Sequence, residues 1–141
     1  MDNGFQSVQR PKVWQKSMDL VESSYKLSSR LPPDERFGLV SQIRRAATSV
    51  PANIAEGFGR WNARDFARFA AIASGSLREL ETHLIIVQRL GYLDKSTAET
   101  VLRQTDELSK MLYRMRRRVL ANIATSEQKP PLQSRAIGKA I

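Results

Sequence analysis

Proline and glycine cut this chain into four stretches, and between the cuts the apolar residues recur at helical period. Pro11 opens the first stretch, Pro32 and Pro33 separate it from the second, Gly57 and Gly59 close the second, and Gly91 closes the third. Pro130 and Pro131 stand in the tail. No stretch alternates with the period of two that a half-buried strand needs. A chain so punctuated folds as an all-α protein, and four segments with short connections give an antiparallel up-down-up-down four-helix bundle.

Each segment has a seam. In the first, Trp14, Met18, Val21, Tyr25 and Ser28 step by four and three. The second is expected to begin after Pro32, with Pro33 in its first turn and Asp34 and Glu35 at the positive end of its dipole. Its seam is Val40, Ile43, Ala47, Val50 and Ile54, and Pro51 inside it predicts a kink or local break near Thr48 to Val50. Asn62 reads as the N-cap of the third helix. That helix carries Phe66, Ala70, Ala73, Leu77, Leu80, Leu84 and Val87, and stops at a left-handed Gly91. Ser96 with Glu99 has the spacing of a capping box for the fourth, whose seam is Val101, Thr105, Leu108, Leu112, Met115 and Val119. The expected organisation is a flexible N-terminal arm (1–10), a bundle domain (11–121) and a flexible basic tail (122–141).

Composition removes several functions. There is no cysteine, so no disulfide framework and no thiol nucleophile, and one histidine, His83, leaves no His-pair metal motif. The longest aliphatic run, Leu84 to Val87, is far below the roughly 20 residues of a membrane span, and Met1 to Phe5 carry no signal-peptide pattern. A soluble, cytoplasmic protein with no membrane partner is expected. What the composition adds is charge: 23 Lys+Arg against 14 Asp+Glu give +9, and 16 of the 23 are Arg. The planar Arg fork suits phosphate and carboxylate, so RNA or DNA is the first partner to consider.

The basic residues fall in stripes. Arg103, Lys110 and Arg117 recur every seven residues opposite the fourth seam, with Arg114 one turn from Arg117, and Lys110 to Arg118 contains five basic residues and no acid. Part of that run complements the C-terminal end of a helix dipole. A second stripe, Arg60, Arg64 and Arg68, climbs into the third helix, where the dipole disfavours cations. Arg44 and Arg45 form a third pair. A solvated face is the ordinary meaning of such runs. No zinc finger, RNP-type signature, GxxG clamp or helix-turn-helix accompanies them, so any binding would rest on phosphate contacts with little sequence specificity.

The third helix has a second seam: Phe69, Ile72, Ser76, Glu79, His83, Ile86 and Leu90. With Phe58 and Trp61 beside its start, this is more apolar surface than one protomer needs. Phe58, Trp61, Phe69, Ile72, Glu79, His83 and Ile86 are therefore candidates for a homo-oligomer interface, unless the second helix and the N-terminal arm cover them. Catalysis finds no support. Glu79 and His83 stand at i and i+4, but Leu80 occupies the position a Glu-x-x-His metal pair requires. Ser74-Gly75-Ser76 lies mid-helix without the strand context of a nucleophile elbow and reads as a close-packing site. Ala55 to Gly59 is too poor in glycine for a phosphate loop. No catalytic residue, cofactor or metal is expected.

The strings Val13-Trp14-Gln15-Lys16-Ser17-Met18-Asp19-Leu20, Leu31 to Leu39 (LPPDERFGL) and Gln42 to Ala47 (QIRRAA) occur in order, followed by Ser49 to Gly57 (SVPANIAEG), Ala73 to Thr82 (ASGSLRELET) and Gly91-Tyr92-Leu93. Over roughly residues 10 to 120 the chain resembles the bacterial four-helix-bundle family of proteins encoded in intervening sequences of large-subunit ribosomal RNA genes. The accessory variability protein of diversity-generating retroelements is in the same group. The resemblance implies antiparallel protomers assembled into a five-fold ring, a homopentamer. It also implies that Pro51, Asn53, Gly57, Gly75 and Glu79 serve fold and assembly. The retroelement protein uses a basic ring to bind nucleic acid and a reverse transcriptase, so the resemblance points to a non-enzymatic binding module for RNA or DNA. The alternative is a structural or adaptor protein that docks a protein partner and whose charge serves solubility.

Overall fold

A computed structural model describes residues 10–60 and 62–128. Residues 1–9 of the expected arm, the tail from Lys129 onward and Trp61 lie outside the described residues. Four helices form: α1 (Lys12–Ser28), α2 (Leu39–Phe58), α3 (Ala63–Arg89) and α4 (Lys95–Gln128), with a 3₁₀ turn at Pro33–Glu35 before α2. No strand occurs among the described residues. Consecutive helices pack on one another and α4 closes on α1. A single cluster of Leu, Ile, Val and Ala fills the centre.

Three of the four seams match their periodicity. Ile43, Ala47, Val50 and Ile54 of α2, Ala70 to Val87 of α3 at the predicted positions, and Val101, Thr105, Leu108 and Leu112 of α4 are all buried. Helix α1 departs from its pattern. Its buried face is Val13, Ser17, Leu20, Ser24 and Leu27, one residue back from the expected stripe, of which Ser28 alone is buried, while Met18 and Tyr25 are 40% and 41% exposed. Serine contributes small volume rather than hydrophobicity. Ser17 and Ser24 let α1 sit close to its neighbours, and the larger Trp14 and Val21 cover the flank, half-buried.

The helix ends show why the connections are short. Asn62 caps α3, its side-chain oxygen accepting from the Arg64 and Asp65 N–H groups at 2.8 and 3.3 Å. Gly91, at φ 73°, ends α3 in a full Schellman arrangement. Its N–H donates to Gln88 O, and the Tyr92 N–H donates to Val87 O. Two ends differ from expectation. Helix α2 starts at Leu39 rather than after Pro32, because the Pro33–Glu35 turn intervenes and Glu35 reaches forward to accept from the Leu39 N–H at 3.0 Å. Helix α4 is capped by Asp94, not by Ser96. The Asp94 carboxylate accepts from the Thr97 N–H at 3.1 Å, from the Thr97 hydroxyl, and from the Ser96 hydroxyl at 3.2 Å. Those donors hold its carboxyl below the usual carboxylate range, the Thr97 hydroxyl most of all. Helix α4 also continues past the last apolar seam residue, through Asn122, to Gln128.

Two glycines have distinct local meanings. Gly57 brings the end of α2 against α3, where a Cβ would stand 3.2 Å from the Phe69 Cβ. Gly75, expected to permit close packing, has no neighbouring atom within 4 Å of where a Cβ would lie. Its place in the fold is an open surface of α3.

Candidate nucleic-acid interface

The fold sorts the basic residues by what already neutralises them. Arg60 pairs with Glu56 at 2.6 Å, and Arg64 pairs with Glu127 across from the C-terminal turns of α4. Lys110 pairs with Asp106 at 3.0 Å. Each is an exposed pair worth only about 0–1 kcal/mol, yet each sets a carboxylate where an incoming phosphate would stand. Arg68 lies over the Phe69 ring, 4.8 Å from its centroid, with Arg60 over the same ring at 5.1 Å. Among the described residues Arg103 reaches only the Thr100 hydroxyl, at 3.5 Å.

The pair Arg44 and Arg45 is structural. The Arg44 Nε donates to the Ser28 hydroxyl at 2.9 Å and its guanidinium covers the Tyr25 ring, tying α2 to α1. Arg45 donates to Gln42 and to Glu79, tying α2 to α3. Arg116 is likewise occupied, its Nε donating to the Ala67 carbonyl at 3.3 Å.

On α4, Arg114, Arg117 and Arg118 make no ion pair or hydrogen bond among the described residues. All three are exposed on α4. Arg114 and Arg118 line an open groove between the start of α1 and α4, facing Lys12. Neither Lys12 nor Arg118 was among the sequence candidates. Their signal was available in the acid-free run from Lys110 to Arg118 and in the cation at the head of α1. What hid it was that only the fold brings residues 12 and 118 to one groove.

The second seam of α3 meets α2 at Phe69, which lies against Gly57, and at its polar middle. The Ser49 and Ser76 hydroxyls hydrogen-bond at 2.8 Å, and Arg45 pairs with Glu79 at 3.2 Å. Toward the ends, Ile72, Ile86 and Leu90 stay exposed, Leu90 at 55%. Phe69 is half-buried, and Phe58 packs on the core with its ring edge-on to Phe66. His83 is nearly enclosed. Its Nε2 lies 3.5 Å from Glu79 Oε1, and neither ring nitrogen makes a hydrogen bond among the described residues. No group of three or more His, Asp or Glu among the described residues could hold a metal ion. No described helix is long and apolar enough to cross a membrane.

A solved structure from Bacteroides thetaiotaomicron VPI-5482, a protein of unknown function from the S23 ribosomal protein family, superposes with a TM-score of 0.67 at 28% identity. The match covers 71% of this chain and 94% of that one. No curated protein matches the chain significantly, and no enzyme family is among the matches. Residues 9–114, the span that holds the capped turns, the seams of α1 to α3 and that of α4 as far as Leu112, match the 23S rRNA-intervening sequence protein family, and the chain belongs to it.

Proposed function

We propose that this chain is a non-enzymatic, oligomeric nucleic-acid-binding module, a ring of five protomers whose basic faces hold RNA or DNA chiefly by phosphate contacts. The observation that supports it most is the set of exposed arginines on α4, Arg114, Arg117 and Arg118, which no carboxylate neutralises. Arg68 and Arg103 extend the face. Arg60, Arg64 and Lys110 contribute once their partners Glu56, Glu127 and Asp106 give way. The exposed apolar ends of the α3 seam, Ile72 and Ile86, flanking Glu79 and His83, support self-association through that face, with Phe58 and Phe69 at its other end; Trp61 lies outside the described residues. A bend of α2 at Pro51, which has no N–H to donate to the Ala47 carbonyl, belongs to the same assembly proposal, as does a cytoplasmic setting.

The test is a titration of labelled RNA and DNA with the full-length protein at low and moderate salt. Binding at low salt that weakens steeply as salt rises is expected, because each phosphate contact releases counterions. Reversing Arg114, Arg117 and Arg118 to Glu abolishes it, whereas reversing Arg64 and Arg68 weakens it less. No binding at low salt removes nucleic acid from the account. One observation favours a second reading, an adaptor for a protein partner: Phe37, in the turn before α2, is 87% exposed. A partner that survives nuclease treatment and is lost on Phe37→Ser would establish it.

A further inference from the structure

We infer that the α1/α4 groove is a subsite for one unpaired nucleotide, so that the protein prefers single-stranded nucleic acid to duplex. The assignment rests on the nucleic-acid reading of the α4 arginines and names the form of substrate they take. The groove is open and has a volume of about 390 Å³, within the roughly 300–1,000 Å³ of ligand-binding clefts. Its construction is two-part. Lys12, Arg114 and Arg118 supply the cations, and Pro11, Met111 and Met115 supply an apolar floor. No acidic residue lines it among the described residues. Glu107, a carboxylate one turn before Met111 on α4, is held by Lys16 at 2.5 Å and is kept below its usual range, mainly by that hydrogen bond.

A phosphate alone would need only the cations. A nucleotide unit needs both parts, because its phosphate is anionic and its base has an apolar face. Met111 and Met115 are half-buried, anchored on the core while keeping an edge at the surface. A thioether against a π face is favourable. In a duplex that face is already stacked on its neighbours and cannot enter a groove. In a single strand it is free, and base-face contacts then add to the phosphate contacts. Arg114 and Arg118 stand one turn apart, about 6 Å along the helix axis, a separation that consecutive phosphates of an extended strand can span. Their planar forks suit phosphate oxygens bidentately, and the apolar floor beside them fits the face of a base, which an acidic side chain lacks.

The experiment compares three labelled probes of equal length on the full-length protein at low salt: an oligothymidylate, an abasic sugar-phosphate strand and a blunt duplex. The expected result is oligothymidylate binding about three- to tenfold more tightly than the abasic strand, with the duplex weaker than oligothymidylate. Met115→Ser brings the first two probes to equal affinity while the helical circular dichroism is unchanged. Met111→Gln does the same where Met115→Ser does not fold, and Arg118→Glu weakens both single strands together. Equal affinity for the oligothymidylate and abasic strands in the unmodified protein overturns the subsite and leaves the basic-face reading intact. A preference for duplex overturns it as well. Displacement of oligothymidylate by a glutamate-rich peptide as effectively as by unlabelled oligothymidylate overturns it in favour of an acidic protein partner. Absence of all nucleic-acid binding overturns both readings.

Discussion

Asn62 and Asp94 each fix the start of a helix with one side chain, but they respond differently to pH. Asn62 has no charge to lose. Asn62→Ala is expected to cost about 1 kcal/mol in chemical denaturation, and Asn62→Gly only a few tenths. Asp94 titrates, and its folded-state carboxyl lies below the ordinary range because Thr97 and Ser96 donate to the anion. Its contribution is therefore full above the ordinary carboxylate value and is lost as pH falls through the depressed one. Asp94→Asn keeps the cap and removes that loss, so its denaturation midpoint should decline less on acidification than that of the unmodified protein. Tyr92 has the opposite sign. Its hydroxyl donates to Glu35 at 3.1 Å, which raises its pKa, so its contribution holds below the ordinary phenol value and fades as pH rises through the folded one. Tyr92→Phe should flatten the alkaline limb of the same curve.

Helices α2, α3 and α4 could be read from the sequence because most of their buried positions are Leu, Ile, Val and Ala, which signal burial by hydrophobicity and outweigh isolated exceptions such as Thr105. Helix α1 could not be phased correctly, because its buried positions include Ser17 and Ser24. A serine packed for its size looks like a surface residue in sequence, and Trp14, Met18 and Tyr25 gave a stronger but false stripe. The Ser24 hydroxyl has no hydrogen-bond partner among the described residues. Ser24→Ala should therefore leave stability unchanged or raise it by up to about 1 kcal/mol, while Ser17→Leu should overpack the contact and cost about 1–3 kcal/mol; thermal unfolding measures both. The candidate interface divides in the same way. The sequence exposed the cations, but whether a cation is free depends on residues far along the chain. Arg64 meets Glu127, Arg116 meets Ala67 and Lys12 faces Arg118 only through the fold. Gly75 is the complementary case. It sits in a helix interior with open space around it, so Gly75→Ala should stabilise an isolated protomer by roughly 0.5–1 kcal/mol. If that substitution instead lowers assembly in light scattering, the glycine serves a neighbouring subunit.

For the whole molecule, assembly and binding are separable. Ile72→Asp with Ile86→Asp should shift the particle mass toward the protomer while leaving its helical content unchanged, since both side chains are exposed in the single chain. A ring would repeat the arginines of α4 around its circumference, so the same variant should also lower apparent affinity for long strands far more than for short ones, through lost multivalency. The length of α4 adds a mechanical consequence. At 34 residues it is twice the 17 of α1, and beyond Arg118 its described neighbours are the capped first turn of α3. The last turns of α4 thus behave as a cantilever clamped at one end. They can bend or unwind without opening the core, and amide exchange should quicken steadily from Leu112 toward Gln128. The Arg64–Glu127 pair is the latch near the far end of the described helix, and Glu127→Gln would release the beam while its clamp at Leu108 and Leu112 stays shut.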